Sequence, residues 1–190
     1  MERLVVEGVN LTEFLGIPYV ASRHPGNILV DDFLANPGLG ANCQLFALGV
    51  LRKAGFYVDE KLPMDQGGRF GSRELWLDCE YTEVVKEGTC SPEVLMGLFF
   101  DDKLQPFDIY FFLPPGTHPF DAGLLGRREL LKKLHIAVWM GFVETGKGGY
   151  ASPWLHNAKP NPSVLWSRKD FDDAGYFLFG VKRPIRRVSS

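Results

Sequence analysis

The residues of this sequence best suited to chemistry are one cysteine and two histidines. Cys43 follows Asn42, a favourable helix N-cap, and begins the apolar run Gln44-Leu45-Phe46-Ala47-Leu48. Unpaired N–H groups and the positive end of the helix dipole favour a thiolate at such a position. The same N–H groups can donate to an oxyanion that develops on an attacked carbonyl. A buried cysteine that only fills space would fit this position equally well. The interpretation of Cys43 as a nucleophile therefore depends on finding a partner for its thiol.

His135 is the candidate partner of Cys43. It begins the apolar segment Ile136-Ala137-Val138-Trp139-Met140, where Val or Ile would pack better than an imidazole. Imidazole has an unperturbed pKa of about 6.5 and can take the proton of a thiol near neutral pH. A Cys–His pair of this kind is sufficient for acyl transfer.

A third group must hold the imidazole of His135, because a base works only when one ring nitrogen faces the nucleophile. His156 lies in Trp154-Leu155-His156-Asn157-Ala158, which is expected to be a neighbouring strand. Asn157 points to the opposite face of that strand, so only one of the two can orient His135. The sequence therefore favours a triad of Cys43, His135 and His156, and leaves Asn157 as the alternative third residue.

The elements that must position these residues form an α+β arrangement. A helix begins after Asn42 and runs to Ala54, where Gly55 ends it. Apolar and aromatic runs then predict strands over residues 107–113, 135–142, 154–158 and 175–181. One early helix followed by antiparallel strands predicts a single domain over residues 1–190, with N-terminal helices packed on one side of a central antiparallel sheet.

Other parts of the chain carry weaker signals. Asn10-Leu11-Thr12-Glu13 predicts a capping box that opens a short helix, and residues 19–39 are expected to be a loop. Residues 74–85 fit a strand or a helix, and residues 94–100 fit a helix. The segment 113–134 is interpreted as an inserted loop with a short helix at 127–133, placed to cover a cleft.

Composition limits the partners and the location. The chain has 45% hydrophobic and 23% charged residues and a formal charge of -2, so no basic field would attract nucleic acid. Membrane insertion is not expected, because no apolar run reaches the ~18 residues of a membrane span. Three cysteines cannot all pair, which favours a reducing compartment. The start of the sequence has no signal-peptide pattern, so we expect a cytoplasmic location, and leave open secretion as an effector or from a trimmed precursor.

Cys43, His135 and His156, in this order and context, resemble the NlpC-type cysteine peptidases and amidases of the papain-like superfamily. Residues 15–19 resemble the family's glycine-x-proline-tyrosine entry, and residues 107–112 its glycine-aspartate-leucine-x-phenylalanine-phenylalanine strand. Residues 134–141 resemble the strand that begins histidine-valine-glycine-isoleucine-tyrosine. The family's usual aspartate-cysteine-serine-glycine is replaced here by Asn42-Cys43-Gln44-Leu45, and both intervals between catalytic residues are longer.

The resemblance implies a papain-like fold and a hydrolase that cleaves amides through an acyl-enzyme, without a cofactor. It also implies a peptide or muropeptide substrate of the peptidoglycan type. Tyr19 and Gln44 are then the candidates for oxyanion or substrate binding.

Three alternatives stand beside this hypothesis. A non-catalytic papain-like binding module would keep the substrate groove but would not catalyse a reaction. An acyltransferase or transamidase would transfer the acyl group of the thioester to an alcohol or amine. A zinc site is disfavoured, because Cys79 and Cys90 lack the close pairing of zinc cysteines. No protein partner or inhibitor is indicated by the sequence.

Overall fold

The central feature of the computed structural model, which describes residues 3–56, 82–85, 103–117, 127–144 and 150–185, is an antiparallel sheet of six strands. In chain order the strands are β1 (Val5–Val6), β2 (Val9–Asn10), β3 (Thr82–Val85), β4 (Ile109–Leu113), β5 (His135–Trp139), β6 (Val143–Glu144), β7 (Tyr150–Ala151), β8 (Trp154–Ala158), β9 (Asn161–Trp166) and β10 (Phe177–Arg183). The large sheet has the order β3-β10-β4-β5-β8-β9, and β1–β2 and β6–β7 form two small antiparallel pairs.

Helices of the described residues are short apart from the one that carries Cys43. They are α1 (Val30–Ala35), α2 (Cys43–Lys53), α3 (Arg127–Lys132) and α4 (Arg168–Asp173), with 3-10 turns at Thr12–Phe14 and Pro37–Leu39. Within the described ranges, none is long and apolar enough to cross a membrane.

Strand alternation gives the sheet two apolar faces. Ile136, Val138 and Leu155 belong to one buried cluster, which also contains the inward residues of α1 and α2. Ala137 and Trp154 belong to a second cluster, on the opposite face, which α4 covers through its buried Phe171. The antiparallel sheet and N-terminal helices agree with the α+β prediction, whereas the helix on the second face was not expected.

Local signals explain why α2 begins and ends where it does. The Asn42 side chain accepts a hydrogen bond from the N–H of Leu45 at 2.8 Å, which caps the first turn. Gly55 has φ +82°, the left-handed conformation that follows many helices. The residues between are almost continuously buried, and α2 packs against β5 and β8. The predicted bounds of this helix are confirmed.

Two predictions from the N-terminal third are wrong. Asn10 lies in β2 and accepts a hydrogen bond from the N–H of Thr12, while Glu13 pairs with Lys53, so no capping box forms. The short helix predicted there is present as the 3-10 turn Thr12–Phe14. The segment 19–39, expected to be a loop, contains α1, whose Val30 and Phe33 are buried. The predicted helix at 94–100, and residues 74–81 and 118–126, lie outside the described residues.

The strand predicted over 154–158 is confirmed as β8, and the other three predicted strands deviate from their bounds by a few residues. The strand expected from Phe107 begins at Ile109, because Phe107 has φ +74° and its N–H donates to the carbonyl of Trp139. The short helix expected at 127–133 is α3, and β9 and α4 were not predicted.

The N-terminal segment is fastened to the edge strand β9 through Ser163. The Ser163 hydroxyl accepts from the N–H of Ile17 at 2.7 Å and donates to the carbonyl of Phe14. Backbone hydrogen bonds from Gly16 to Ser163 and from Ser163 to Ile17 complete the contact, which we call the Ser163 junction. It sets the course of the chain that leads to Tyr19.

Gly49 allows α1 and α2 to approach closely, because a Cβ at this position would overlap the buried ring of Phe33. We expect Gly49→Ala to destabilise the protein. Overpacking costs about 1–3 kcal/mol, which outweighs the gain of about 1 kcal/mol in helix propensity. Urea unfolding measures the difference. Gly38→Ala is the matched control, since a Cβ there meets nothing within 4 Å, and equal stability of Gly49→Ala and wild type would refute the close-approach explanation.

Candidate active site

A cavity of about 370 Å³ lies where the start of α2 meets the beginning of β5. Cys43 and His135 both line it, so the structure brings the first two predicted residues to one space. Tyr19 and Gln44, the further predicted residues, also line this cavity. His156 is not among the lining residues and stands behind His135.

Cys43 occupies the first turn of α2 and is partly buried. Asn42 uses its side chain for the N–H of Leu45 and its carbonyl for the N–H of Phe46. The N–H of Gln44 has no acceptor among the described residues. A donor is therefore available beside the cysteine sulfur, as an oxyanion requires.

His135 and His156 are joined by a buried hydrogen bond. Nε2 of His135 lies 3.0 Å from Nδ1 of His156, and the two rings are nearly perpendicular at 81°. The register of β5 and β8 pairs Ala137 with His156, which puts both histidines on the same face of the sheet as diagonal neighbours. The bond leaves Nδ1 of His135 as the nitrogen that can face a nucleophile.

A role of His135 as a base would fix the tautomers of both histidines. Nδ1 of His135 can accept a proton only if Nε2 carries one, so Nε2–H donates to Nδ1 of His156. His156 then carries its own proton on Nε2, which is buried without a hydrogen-bond partner in the described part of the chain. The ring centres of Trp166 and Phe171 lie 4.3 and 4.9 Å from that of His156.

Burial keeps both imidazoles neutral. It lowers the pKa of His156 to about 4, an effect that the carboxylate of Asp170 partly opposes. Burial, together with the charge of His156, holds the pKa of His135 well below its ordinary value. A proton on His135 therefore requires a nearby anion, and a thiolate at Cys43 would supply one.

Asn157 serves a different purpose from His156. Its amide nitrogen donates to the carbonyls of Pro18 and Ala41, each at 3.2 Å. Because neighbouring residues of a strand point to opposite faces, Asn157 secures the chain beneath the start of α2 while His156 meets His135. Of the two candidates for the third residue, the structure places His156 against His135.

Tyr19 stands at the cavity on a chain that forms an isolated parallel bridge with Ala41. Burial raises the pKa of the Tyr19 hydroxyl, and negative charge on Cys43 raises it further. The phenol therefore stays protonated at neutral pH and can donate a hydrogen bond toward the cysteine. The ammonium of Lys159 lies 5.9 Å from the centre of its ring.

Tyr176 is a further lining residue that sequence analysis missed. Its ring centre lies 5.3 Å from that of His135, and the pKa of its hydroxyl is raised by burial and then by charge on Cys43. It reaches the cavity because β10 lies beside β4, whose end is next to the start of β5. No local pattern around Gly175-Tyr176 marks this proximity, which depends on the order of strands in the sheet.

Gln44 is an unusual residue for a buried helix. It is only 1% exposed, yet neither atom of its side-chain amide has a partner among the described residues. An unpaired buried amide costs about 1–3 kcal/mol. Gln44 lines the cavity beside Cys43, but its amide atoms are buried from solvent.

Comparisons of the chain with protein-family models, with curated proteins and with solved structures found no match. Among the described residues, no three or more His, Cys, Asp or Glu side chains are grouped so as to hold a metal ion. The chemistry of the site is therefore inferred from its own geometry.

The buried histidine pair predicts a loss of stability in mild acid. The pKa of His156 is about 4 in the folded protein and about 6.5 in an unfolded chain. Above pH 6.5 His156 is neutral in both states, so its contribution to the free energy of unfolding is fully present. As the pH falls from 6.5 toward 4, only the unfolded chain takes up the proton, and this contribution is lost. The amount is about 3 kcal/mol, measurable by urea unfolding between pH 7 and 4.

His156→Asn is the informative variant, because its amide can replace Nδ1 without taking up a proton. Its free energy of unfolding should fall less steeply over this range than that of the wild type. His24→Asn, at a histidine outside the cavity lining, is the comparison variant, and a change of slope equal to that of His156→Asn would contradict the assignment to His156. Identical slopes for His156→Asn and wild type would mean that the pair does not titrate as described.

Proposed function

We propose that this chain is a cysteine-dependent amide hydrolase with a papain-like fold of the NlpC type. The observation that carries the proposal is the hydrogen bond between His135 and His156, which leaves Nδ1 of His135 available at the cavity that Cys43 also lines. The roles are nucleophile for Cys43, general base for His135 and positioning residue for His156.

The reaction begins with transfer of the Cys43 proton to Nδ1 of His135. The thiolate attacks the amide carbonyl and forms a carbon–sulfur bond, and the resulting oxyanion is held by N–H groups at the start of α2. The hydroxyl of Tyr19 is placed to assist, since it lines the same cavity and stays protonated.

Breakdown of this intermediate restores the base. The carbon–nitrogen bond breaks, and the amine leaves with the proton that His135 had taken. Water, deprotonated by His135, then attacks the thioester and releases the acid, while the proton returns to the Cys43 sulfur. An amine acceptor in place of water would give transamidation instead.

His156 contributes by fixing the ring of His135 and by offering an acceptor to its Nε2–H. Proton transfer to His135 creates an imidazolium in a buried place, and the bond to His156 stabilises the positive ring. The substrate implied by the family resemblance is a peptide of the peptidoglycan type.

Alkylation of Cys43 by iodoacetamide tests the proposed pair directly. We expect labelling between pH 6 and 7 that is faster than at an ordinary thiol of pKa about 8.5, with a collapse to the ordinary rate in His135→Gln. Glutamine can keep the hydrogen bond to His156 but has no basic nitrogen for the thiol. Peptide mass analysis follows Cys43 separately from Cys79 and Cys90, and glutathione serves as the reference thiol.

The matched controls are His24→Gln, which should label like the wild type, and His156→Asn, which should lose less rate than His135→Gln. Circular dichroism confirms that each variant is folded. If Cys43 of the wild type labels no faster than an ordinary thiol, the hydrolase proposal fails and the non-catalytic binding module is favoured.

A further inference from the structure

Tyr176 brings an aromatic ring to His135 from a part of the chain that the proposed reaction does not use. The centre of its ring lies 5.3 Å from that of His135, with 51° between the two ring planes. The next aromatic ring among the described residues, apart from that of His156, belongs to Phe171 and lies farther away, at 6.4 Å. Tyr176 also lines the cavity with Cys43, so it stands beside both members of the proposed pair.

The end of α4 fixes the place of Tyr176. Its N–H donates to the carbonyl of Phe171 at 2.9 Å, and the N–H of Gly175 donates to the carbonyl of Asp172 at 2.9 Å. Two such bonds, with a side-chain contact across them, are a common way for a helix to end. The contact is present here, because the rings of Tyr176 and Phe171 meet edge to face with their centres 5.7 Å apart. The helix that covers His156 therefore also holds Tyr176.

Two further rings hold the side chain of Tyr176 in place. The ring centres of Trp166 and Phe112 lie 6.2 and 6.4 Å from its own, at angles of 73° and 83°. Packed aromatic neighbours of this kind limit the movement of a ring. The contact between Tyr176 and His135 is therefore built into the fold and does not depend on a bound ligand.

This contact lies where the reaction needs support. Proton transfer from Cys43 makes the ring of His135 positive, and burial disfavours that charge, as the lowered pKa of His135 shows. The face of an aromatic ring within about 6 Å attracts a cation, and the attraction is stronger where water is excluded. His156 offers an acceptor to one nitrogen of His135, whereas an aromatic face acts on the charge of the whole imidazolium. The two contributions are therefore separate.

We propose that Tyr176 is a positioning residue, whose ring packs against His135 and favours the thiolate–imidazolium pair over the neutral thiol and imidazole. The inference rests on the proposed function for the identity of the pair. Tyr176 exchanges no atom in the reaction, because the proton passes from Sγ of Cys43 to Nδ1 of His135. The phenol stays protonated, since burial and then the charge of Cys43 raise the pKa of its hydroxyl.

The pH dependence of Cys43 alkylation by iodoacetamide measures this preference. The midpoint of the rise in rate reports the formation of the thiolate, and the plateau at high pH reports the access of the reagent to the sulfur. The other titratable side chains that line the cavity stay unchanged in every variant: Tyr19, Lys132, Lys133 and Lys159.

Three variants at one position isolate the effect of the ring. Tyr176→Phe is the reference, because it keeps an ordinary aromatic face and has already lost the hydroxyl. Tyr176→pentafluorophenylalanine has nearly the same shape, but its fluorine atoms withdraw electrons and make the face of the ring positive. Tyr176→Leu removes the ring and leaves an apolar side chain.

We expect the midpoint of Tyr176→Leu to lie about 0.5 to 1.5 pH units above that of Tyr176→Phe, as the strength of a cation–π contact predicts. The rate well below the midpoint then falls by about threefold to thirtyfold. Tyr176→pentafluorophenylalanine should shift the midpoint further in the same direction, because a positive ring face repels the imidazolium.

Phe177→Leu is the matched control. It removes the next aromatic residue of the chain, which packs against the cluster on the opposite face of the sheet and does not line the cavity. This variant should keep the wild-type midpoint. Circular dichroism and urea unfolding check that each variant is folded.

Equal midpoints for Tyr176→pentafluorophenylalanine and Tyr176→Phe would overturn the proposal, and this comparison stands even if Tyr176→Leu does not fold. An equal shift in Phe177→Leu would also overturn it. Failure of the hydrolase is a different result, since Cys43 of the wild type would then label at the rate of an ordinary thiol. Rapid wild-type labelling that depends on His135, with equal midpoints in the two ring variants, removes the role of Tyr176 alone.

Discussion

The hydrogen bond between Nε2 of His135 and Nδ1 of His156 is the interaction on which the candidate site depends. It joins two buried groups that would each lose hydration without compensation, so the two rings stabilise one another only in this geometry. The geometry is in turn set by the register that pairs Ala137 with His156. A slip of one residue between β5 and β8 would turn one imidazole to the other face of the sheet and leave the second unpaired.

One strand serves both faces of the sheet at the site. In β8, His156 bonds to His135 on the face covered by α4, while Asn157 donates to the carbonyls of Pro18 and Ala41 on the face covered by α2. Two adjacent residues thereby hold the ring of His135 and the chain that precedes Cys43. The aromatic residues behind His156, Trp166 and Phe171, exclude water from the pair, and this exclusion keeps the imidazoles neutral.

Sequence reasoning succeeded where the determining interactions are local. Asn42 and Gly55 mark the ends of α2, because a cap and a left-handed glycine each act within one turn of the helix. The apolar runs of β5 and β8 likewise predict buried strands. It failed at Asn10, which ends β2 and accepts a hydrogen bond from the N–H of Thr12, so that the 3-10 turn Thr12–Phe14 begins without a capping box. Tyr176 and Lys159 could not be placed at the cavity from sequence, since their positions follow from strand order and from a turn. Phe171 could not be placed either, because no local sequence pattern shows that α4 packs on the second face of the sheet.

The Ser163 junction has a consequence for the solubility of the folded chain. β9 is the last strand of the large sheet, and one of its sides would otherwise present unpaired N–H and C=O groups to any other strand. The backbone bonds that Ser163 exchanges with Gly16 and Ile17 occupy part of that edge. The segment that leads to Tyr19 thus also hinders the pairing of β9 with a strand of another molecule. Proteolytic nicking in this segment would expose a template for aggregation as well as disturb the site.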